Sequence, residues 1–316
     1  MKVSVVIRTH DEAPRLRLTL ASLKRQDHLS EVVVVDDGST DETVEIVRSF
    51  GSRVRLLQQP RAGIAAARNA GIDAATTPWI ALLDHDDIWE PDHLRETAAA
   101  IERCPSADVV YSPFQRLTWD DASNRYCTGE PDPAPGEDEV ASVLMERCAI
   151  LVSSITVRAS AAVAAGGFDP HFINAQDWDL WVRMSRRGSS FALAPKPTTL
   201  YRIHRASQTH SPLRALRFYR DVVRRGILPS LPAWRRPVHR LRVTARLQGE
   251  AAVVMRELGS PQAPVMMLRS IARWPFANPH RYKVLLHMML LGYPTQPEQQ
   301  PRWRRTGAVT SITGKR

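Results

Sequence analysis

Three aspartates, Asp84, Asp86 and Asp87, follow directly on the apolar run Ile80-Ala-Leu-Leu83, with His85 among them. An apolar run that ends in carboxylates reads as a buried strand with an acidic C-terminal tip. Packed together, the three carboxylates repel one another. Water or a cation must screen them, and a hard divalent ion with oxygen ligands does this well. In an open α/β sheet the carboxyl ends of the strands are also where ligands bind. The plainer reading is an acidic turn capping a helix that starts near Pro91.

A second pair, Asp177 and Asp179, lies in Gln176-Asp-Trp-Asp-Leu-Trp-Val-Arg183. From Asp177 onward the spacing is helical, so both aspartates fall in a first turn. The helix dipole favours carboxylates there, and that alone can account for them.

These residues need elements to position them. Val3–Ile7, Val32–Val35, Val54–Leu57, Trp79–Leu83 and Asp108–Tyr111 read as strands. Helices are expected over Pro14–Gln26, Asp41–Phe50 (capped by Ser39 or Thr40, ended by Gly51), Gly63–Ala75 and Pro91–Arg103. Strand and helix alternate over short links, which points to a mostly parallel sheet covered on both faces. After Tyr111 the alternation loosens. Phe114–Trp119 reads as a strand, Thr128–Glu139 as a long loop, Glu137–Arg147 as a helix, and Ser154–Val157 as a short strand. Ala159–Ala165 reads as a helix stopped by Gly166-Gly167, and Thr198–His204 as a last strand. There is no G-x-G-x-x-G after the first strand and no G-x-x-x-x-G-K-[ST], which disfavours a dinucleotide oxidoreductase or a P-loop NTPase.

The net charge of +10 conceals two different objects. Residues 1–204 hold 22 Lys/Arg against 29 Asp/Glu; residues 205–316 hold 21 against 4. The basic part is expected to be helical over 205–294, broken by prolines, with a polar tail at 295–316 that reads as disordered. Three Cys at unrelated spacings suggest neither a zinc site nor a disulfide framework, which fits a reducing compartment. No apolar run reaches transmembrane length and the first strand is no signal-peptide core, so the expected location is cytoplasmic.

Seven segments in order carry a resemblance. They are Val3-Ser-Val-Val-Ile-Arg-Thr-His-Asp-Glu12, Val34-Val-Asp-Asp-Gly-Ser-Thr-Asp41, Ala66-Ala-Arg-Asn-Ala-Gly71, Leu83-Asp-His-Asp-Asp87, Gly166-Gly-Phe-Asp169, Gln176–Arg183 and Tyr201-Arg-Ile-His204. Together they resemble family 2 glycosyltransferases, which have the Rossmann-like GT-A fold. The resemblance spans residues 2–204 and leaves 205–294 as a basic helical appendage. It implies a nucleotide-diphosphate sugar donor, a divalent Mn or Mg ion, and inversion at the anomeric carbon. By the same resemblance Thr9 and Asp37 contact the base, Asp84 lies by the ribose, Asp86 and His204 hold the metal, and Asp177 is the general base. Arg68 is a candidate for the diphosphate or for pairing a nearby acid. Gln176 stands where the family commonly has an acid, and His10-Asp11 where an aromatic and Asn are common.

The chemistry suits these residues. Breaking a sugar–phosphate bond builds charge on the leaving diphosphate, which a metal neutralises. The sugar carbon passes through an oxocarbenium-like state while one carboxylate takes the acceptor proton. Asp179 competes with Asp177 for that role. Arg183 is expected to be structural, and Trp178 and Trp181 to be core or cleft wall, with Trp178 also able to stack on a sugar. Two rivals remain. A sugar nucleotidyltransferase would need a Gly-bearing loop after the first strand, which Arg8–Glu12 lacks. A non-catalytic glycan- or polyanion-binding protein would use the basic end. That end otherwise reads as a solvated cap or as a peripheral contact with anionic membrane presenting a lipid-linked acceptor. Its prolines disfavour a DNA-reading helix.

Overall fold

The computed structural model describes residues 1–120, 125–204, 211–276 and 280–290. The described chain divides into two units. One comprises Met1–Leu144 with Cys148–His204; the other comprises Met145–Arg147 with the described residues after 210.

In the first unit, β-branched runs form the centre of a sheet. The chain runs β1 (Val3–Thr9), α1 (Ala13–Leu23), β2 (Leu29–Asp36), α2 (Thr43–Ser49), β3 (Val54–Gln58), α3 (Ile64–Ala74) and β4 (Trp79–Asp84). It continues through β5 (Ile88–Trp89), α4 (His93–Arg103), β6 (Val109–Tyr111), β7 (Phe114–Asp120), β8 (Arg125–Asp132), α5 (Val140–Leu144), β9 (Ile155–Arg158) and α6 (Ala159–Ala164). It ends with α7 (Gln176–Arg186), β10 (Phe191–Leu193) and β11 (Thr199–Arg202). The larger sheet has the order β10-β6-β9-β4-β1-β2-β3. β1 pairs in parallel with both β2 and β4, and β9 runs antiparallel between β4 and β6. The expected mostly parallel α/β sheet is therefore present.

Both faces of β1, β2 and β4 are buried, as near-continuous Val/Ile/Leu runs require. One face packs Val5, Ile7, Val34 and Leu83 against Leu16 and Leu20 of α1. On α3, Gly71 is needed for close approach: a Cβ there would meet Val6 Cγ1 at 2.3 Å. From β1 the chain steps outward through β2 and β3, then returns to place β4 on the other side of β1. The crevice between the carboxyl ends of β1 and β4 is thus a topological switch point, where ligands bind in open α/β sheets.

A second sheet has the order β5-β11-β7-β8. β5 follows the acidic turn at once, and β11 pairs antiparallel to it. The acidic turn is therefore pinned between the two sheets.

Three expectations need correction, and two strands were not expected at all. Residues 128–132 belong to β8, not to a loop; β8 is the last strand of its sheet, an edge position that tolerates Gly129 and Pro131. Neither Ser39 nor Thr40 caps α2, because Asp41 Oδ1 accepts from the Thr43 N–H at 3.0 Å. β5 and β10 have two and three residues, too few to show a period. Finally, α7 starts one residue before Asp177.

The second unit is helical. It holds α8 (Pro212–Asp221), a π-helical turn over Val222–Ile227, α9 (Arg236–Glu257), α10 (Ala263–Arg273) and α11 (His280–Leu290). Pro237 and Pro264 lie in the first turns of α9 and α10, where a missing N–H costs nothing. The tail expected from 295 lies outside the described residues. Among those described, no helix is long and apolar enough to cross a membrane.

Candidate active site

At the end of β4, one carboxylate oxygen from each of Asp84, Asp86 and Asp87 lies within 4.8 Å of the others. The three have different surroundings. Asp84 Oδ1 accepts from Arg68 Nη2 at 2.6 Å. Asp86 Oδ2 lies 2.9 Å from His204 Nε2. Asp87 is fully buried; its Oδ1 accepts from the Arg202 N–H at 3.0 Å and its Oδ2 from Ser153 Oγ.

Their ionisation follows from these partners. Burial opposes the charge on Asp86, but the hydrogen bond to His204 and the nearby Arg8 charge help to outweigh it and hold the carboxyl well below its usual range. Burial, reinforced by the negative charges of Asp86 and Asp84, pushes Asp87 well above that range. Asp87 thus suits a positioning role: it ties β4 to the backbone of β11, two residues before His204. Arg202 adds to this tie, donating through Nε to the Asp86 carbonyl and through Nη2 to the Arg15 carbonyl at 3.1 Å. The imidazole of His85 is buried against the Arg8 carbonyl at 3.1 Å, and burial lowers its pKa to about 4.

Asp84, Asp86 and His204 offer oxygen and imidazole donors in one crowded anionic spot, a set that suits a hard or borderline divalent ion. Asp87 fits less well, since hydrogen bonds engage both of its oxygens.

Asp177 heads α7. Ala175, the residue before α7 and two before Asp177, has φ 63°, a left-handed conformation that costs a non-Gly residue roughly 1–3 kcal/mol and recurs at functional sites. Asp177 Oδ1 accepts from the Trp178 N–H at 2.8 Å, and the Cys148 thiol donates to Oδ2 at 3.8 Å. Burial raises the Asp177 pKa, while the Arg68 charge pulls it down and that of Asp84 pushes it up. Asp177 therefore shares one electrostatic neighbourhood with Arg68 and Asp84.

Asp179 does not. Arg183 binds it through Nε and Nη2 at 2.9 and 2.7 Å, and the same guanidinium donates to the Ala165 and Gly167 carbonyls. Arg183 is structural, as its helix position suggests. Trp178 and Trp181 are fully buried, and Trp178 Nε1 donates to the Leu144 carbonyl at 2.7 Å. The stacking role considered for Trp178 is excluded by this burial.

Thr9 and Asp37 sit side by side at the ends of β1 and β2, joined by the Asp37 N–H to the Thr9 carbonyl at 2.9 Å. Thr9 Oγ1 is buried without a hydrogen-bond partner among the described residues. The Asp37 carboxylate shapes the loop before α3, accepting from Gln59 Nε2 at 2.7 Å and from the Ala62 and Gly63 N–H groups at 2.8 and 2.9 Å.

Three contributors escaped the sequence reading. Ser153 and Arg202 hold the acidic turn. Asn69 clamps the backbone of Phe168 through both amide atoms at 2.8 Å, fixing the loop before α7 to α3. Asn69 and Arg202 both lie inside the segments that carry the resemblance. Ser153 had no signal, because its role is set by a contact 66 residues away.

With this geometry in place, comparison with known proteins is informative. Residues 4–130 match the model described as glycosyl transferase family 2. The amylovoran biosynthesis glycosyltransferase AmsB of Erwinia amylovora is 30% identical over 210 residues, 63% of this chain and 68% of that protein. An uncharacterised glycosyltransferase of Rickettsia prowazekii is 27% identical, covering 70% of each chain. Among solved structures, S. aureus TarS in complex with UDP-GlcNAc matches with TM-score 0.56 and 15% identity over 94% of this chain and 93% of that one. A mannosyltransferase from Pyrobaculum calidifontis in complex with GDP-Man and Mn2+ matches with TM-score 0.57 and 19% identity over 92% and 80%. At such identities the two structures speak for the GT-A fold. The sequence relatives and the family model go further: the chain belongs to glycosyl transferase family 2.

Proposed function

We propose that this glycosyltransferase moves a sugar from a nucleotide-diphosphate donor to an acceptor hydroxyl, inverting the anomeric carbon with Asp177 as base. One observation carries the reading. The acidic tip of β4 is joined to His204 at the end of β11, and the half-buried Asp177 faces the same charges. The nucleotide sugars and Mn2+ held by the two structural neighbours support a donor and a metal of the same kinds here.

Thr9 and Asp37 wall the base, Asp84 takes the ribose side, and Asp86 with His204 would hold Mn2+ or Mg2+. When bound, that ion would neutralise the charge that develops on the leaving diphosphate. Arg68, fixed by Asp84, adds a buried positive charge beside it. Asp177 accepts the acceptor's proton as its oxygen bonds to the anomeric carbon and the carbon–diphosphate oxygen bond breaks. A single base carboxylate suits one displacement, and so inversion. Burial makes Asp177 a stronger base than a solvated aspartate. Trp178 and Trp181, packed beneath it, fix the helix that aims it.

The name of the E. amylovora relative favours polysaccharide assembly as the setting. A peripheral contact with anionic lipid has its own support in the helical unit. Residues 258–290 contain no Asp or Glu, and their exposed Leu268, Phe276, Tyr282 and Leu286 are interspersed with exposed Arg269, Arg273 and Lys283. Basic residues among apolar ones suit the headgroup region of an anionic bilayer.

The test is a crystal grown with Mn2+ and UDP or GDP. An anomalous peak against Asp86, with the diphosphate beside it and the base toward Thr9 and Asp37, is the expected result. Nucleotide and metal bound away from the β4 tip would overturn the reading.

A further inference from the structure

The catalytic reading gives no task to Arg8. This residue occupies the last turn of the pleat before β1 ends, opposite Asp84 on β4 and Val35 on β2. Its guanidinium lies among charges: Asp84, Asp86 and Glu12 attract it and Arg68 repels it. Yet no hydrogen bond or ion pair ties it to any of these acids among the described residues, and its Nε is buried without a partner.

The contrast with its neighbours is informative. Asp84 is paired by Arg68 at 2.6 Å, Asp86 by His204 at 2.9 Å, and Glu12 by Arg15 at 3.0 Å. The carboxylates at this tip thus have other side-chain partners, and Arg8 is not needed to satisfy them pairwise. A partly buried guanidinium whose Nε has no acceptor is costly unless something supplies one. The strand ladder on both sides of β1 fixes the Arg8 backbone, whose carbonyl oxygen also meets His85 Nδ1. The side chain therefore remains at the switch-point crevice. A planar fork of N–H donors beside a donor site suits phosphate oxygens. Arg68 contributes alongside, because its Nη1 is also buried without a partner.

We propose that Arg8 is a diphosphate-binding residue, a fixed positive charge that shares with the divalent ion the task of holding the donor's phosphates. The inference rests on the donor site proposed above. It carries two consequences of opposite sign. The nucleoside diphosphate keeps measurable affinity when metal is removed, because Arg8 and Arg68 still face it. And Arg8, being a cation among Asp84, Asp86 and Glu12, weakens the binding of a divalent ion to the empty tip. A residue that merely supports the fold would weaken both ligands together when replaced.

The experiment is calorimetric titration of the full chain, wild type, Arg8→Gln and Arg8→Lys, with UDP and with GDP, each in EDTA and in Mn2+, and separately with Mn2+ alone. The expected result is wild-type binding of one nucleotide in EDTA, weakened about tenfold or more in Arg8→Gln and less in Arg8→Lys. Mn2+ alone should bind Arg8→Gln several-fold more tightly than wild type. Equal nucleotide affinity in wild type and Arg8→Gln, or unchanged or weaker Mn2+ binding by that variant, overturns the proposal. Nucleotide binding by the wild type only when Mn2+ is present overturns it while leaving the donor site standing. Binding of neither nucleotide under any condition overturns both. Should Arg8→Gln lose its circular dichroism spectrum, Arg8→Lys decides. It keeps the charge but not the fork, so weaker nucleotide binding with Mn2+ binding unchanged supports the proposal, and unweakened nucleotide binding refutes it.

Discussion

Replacing Asp177 by Asn separates its two effects, on rate and on stability. The change keeps the shape, removes the charge and removes the proposed proton acceptor. A positioned general base contributes about 10²–10⁴-fold, which is about 3–5 kcal/mol of barrier. Stability moves the other way. Burial raises the Asp177 pKa above that of a solvated carboxyl, with the Arg68 charge offsetting part of the effect. Between the unfolded and the raised folded value, the folded chain holds a proton that the unfolded chain has released. Stability therefore falls as pH rises through that window, and above it the ionised carboxylate leaves its full cost in the folded state. Asn escapes that cost. Turnover and thermal melts at pH 5 and pH 8 check both effects. Asp177→Asn is expected to lose at least about 100-fold in kcat, with donor KM nearly unchanged. Its Tm should match or exceed wild type at pH 8, and the advantage should shrink at pH 5. The wild-type rate should fall on the acid side as Asp177 takes up a proton, a limb that the variant lacks. Turnover within about tenfold of wild type, or a Tm several degrees lower at pH 8, would refute the reasoning.

Other predictions follow from single contacts. His204→Ala removes the imidazole 2.9 Å from Asp86 and should weaken Mn2+ binding about 10–100-fold in calorimetry, with the melting temperature little changed. Gly71→Ala places a Cβ against Val6 Cγ1 and should cost about 1–3 kcal/mol in urea unfolding. Vesicles containing phosphatidylserine should co-sediment the chain at low salt and release it at high salt, whereas neutral vesicles should not bind it. Equal binding to both would remove the membrane reading.

Much of the first unit was legible because its signals are local. The runs Val3–Ile7 and Val32–Val35 are almost continuously apolar, and the small-residue helix carrying Arg68 starts and ends within one residue of the expected bounds. The acidic tip was legible for the same reason: a strand ran straight into Asp84. What remained hidden depends on residues that meet only in the fold. Asp87 looked equivalent to Asp84 and Asp86, yet Ser153 and the backbone of Arg202 set it apart. Asp179 looked equivalent to Asp177 until Arg183 was seen to pair with it, though the four-residue spacing was a usable hint. β8 was obscured because Gly129 and Pro131 argue against strand except at an edge, and edge position is a property of the whole sheet. The role proposed for Arg8 was unreadable because it rests on its neighbours' being paired with other residues in the fold.

The most direct measurement is release of nucleoside diphosphate by the purified chain from a panel of nucleotide sugars, with Mn2+, with Mg2+ and with EDTA, beside the Asp86→Ala variant. The account predicts release from one or two donors that needs a divalent ion and vanishes in Asp86→Ala, whose carboxylate is the one joined to His204. Full release in EDTA, or undiminished release by Asp86→Ala, would contradict it.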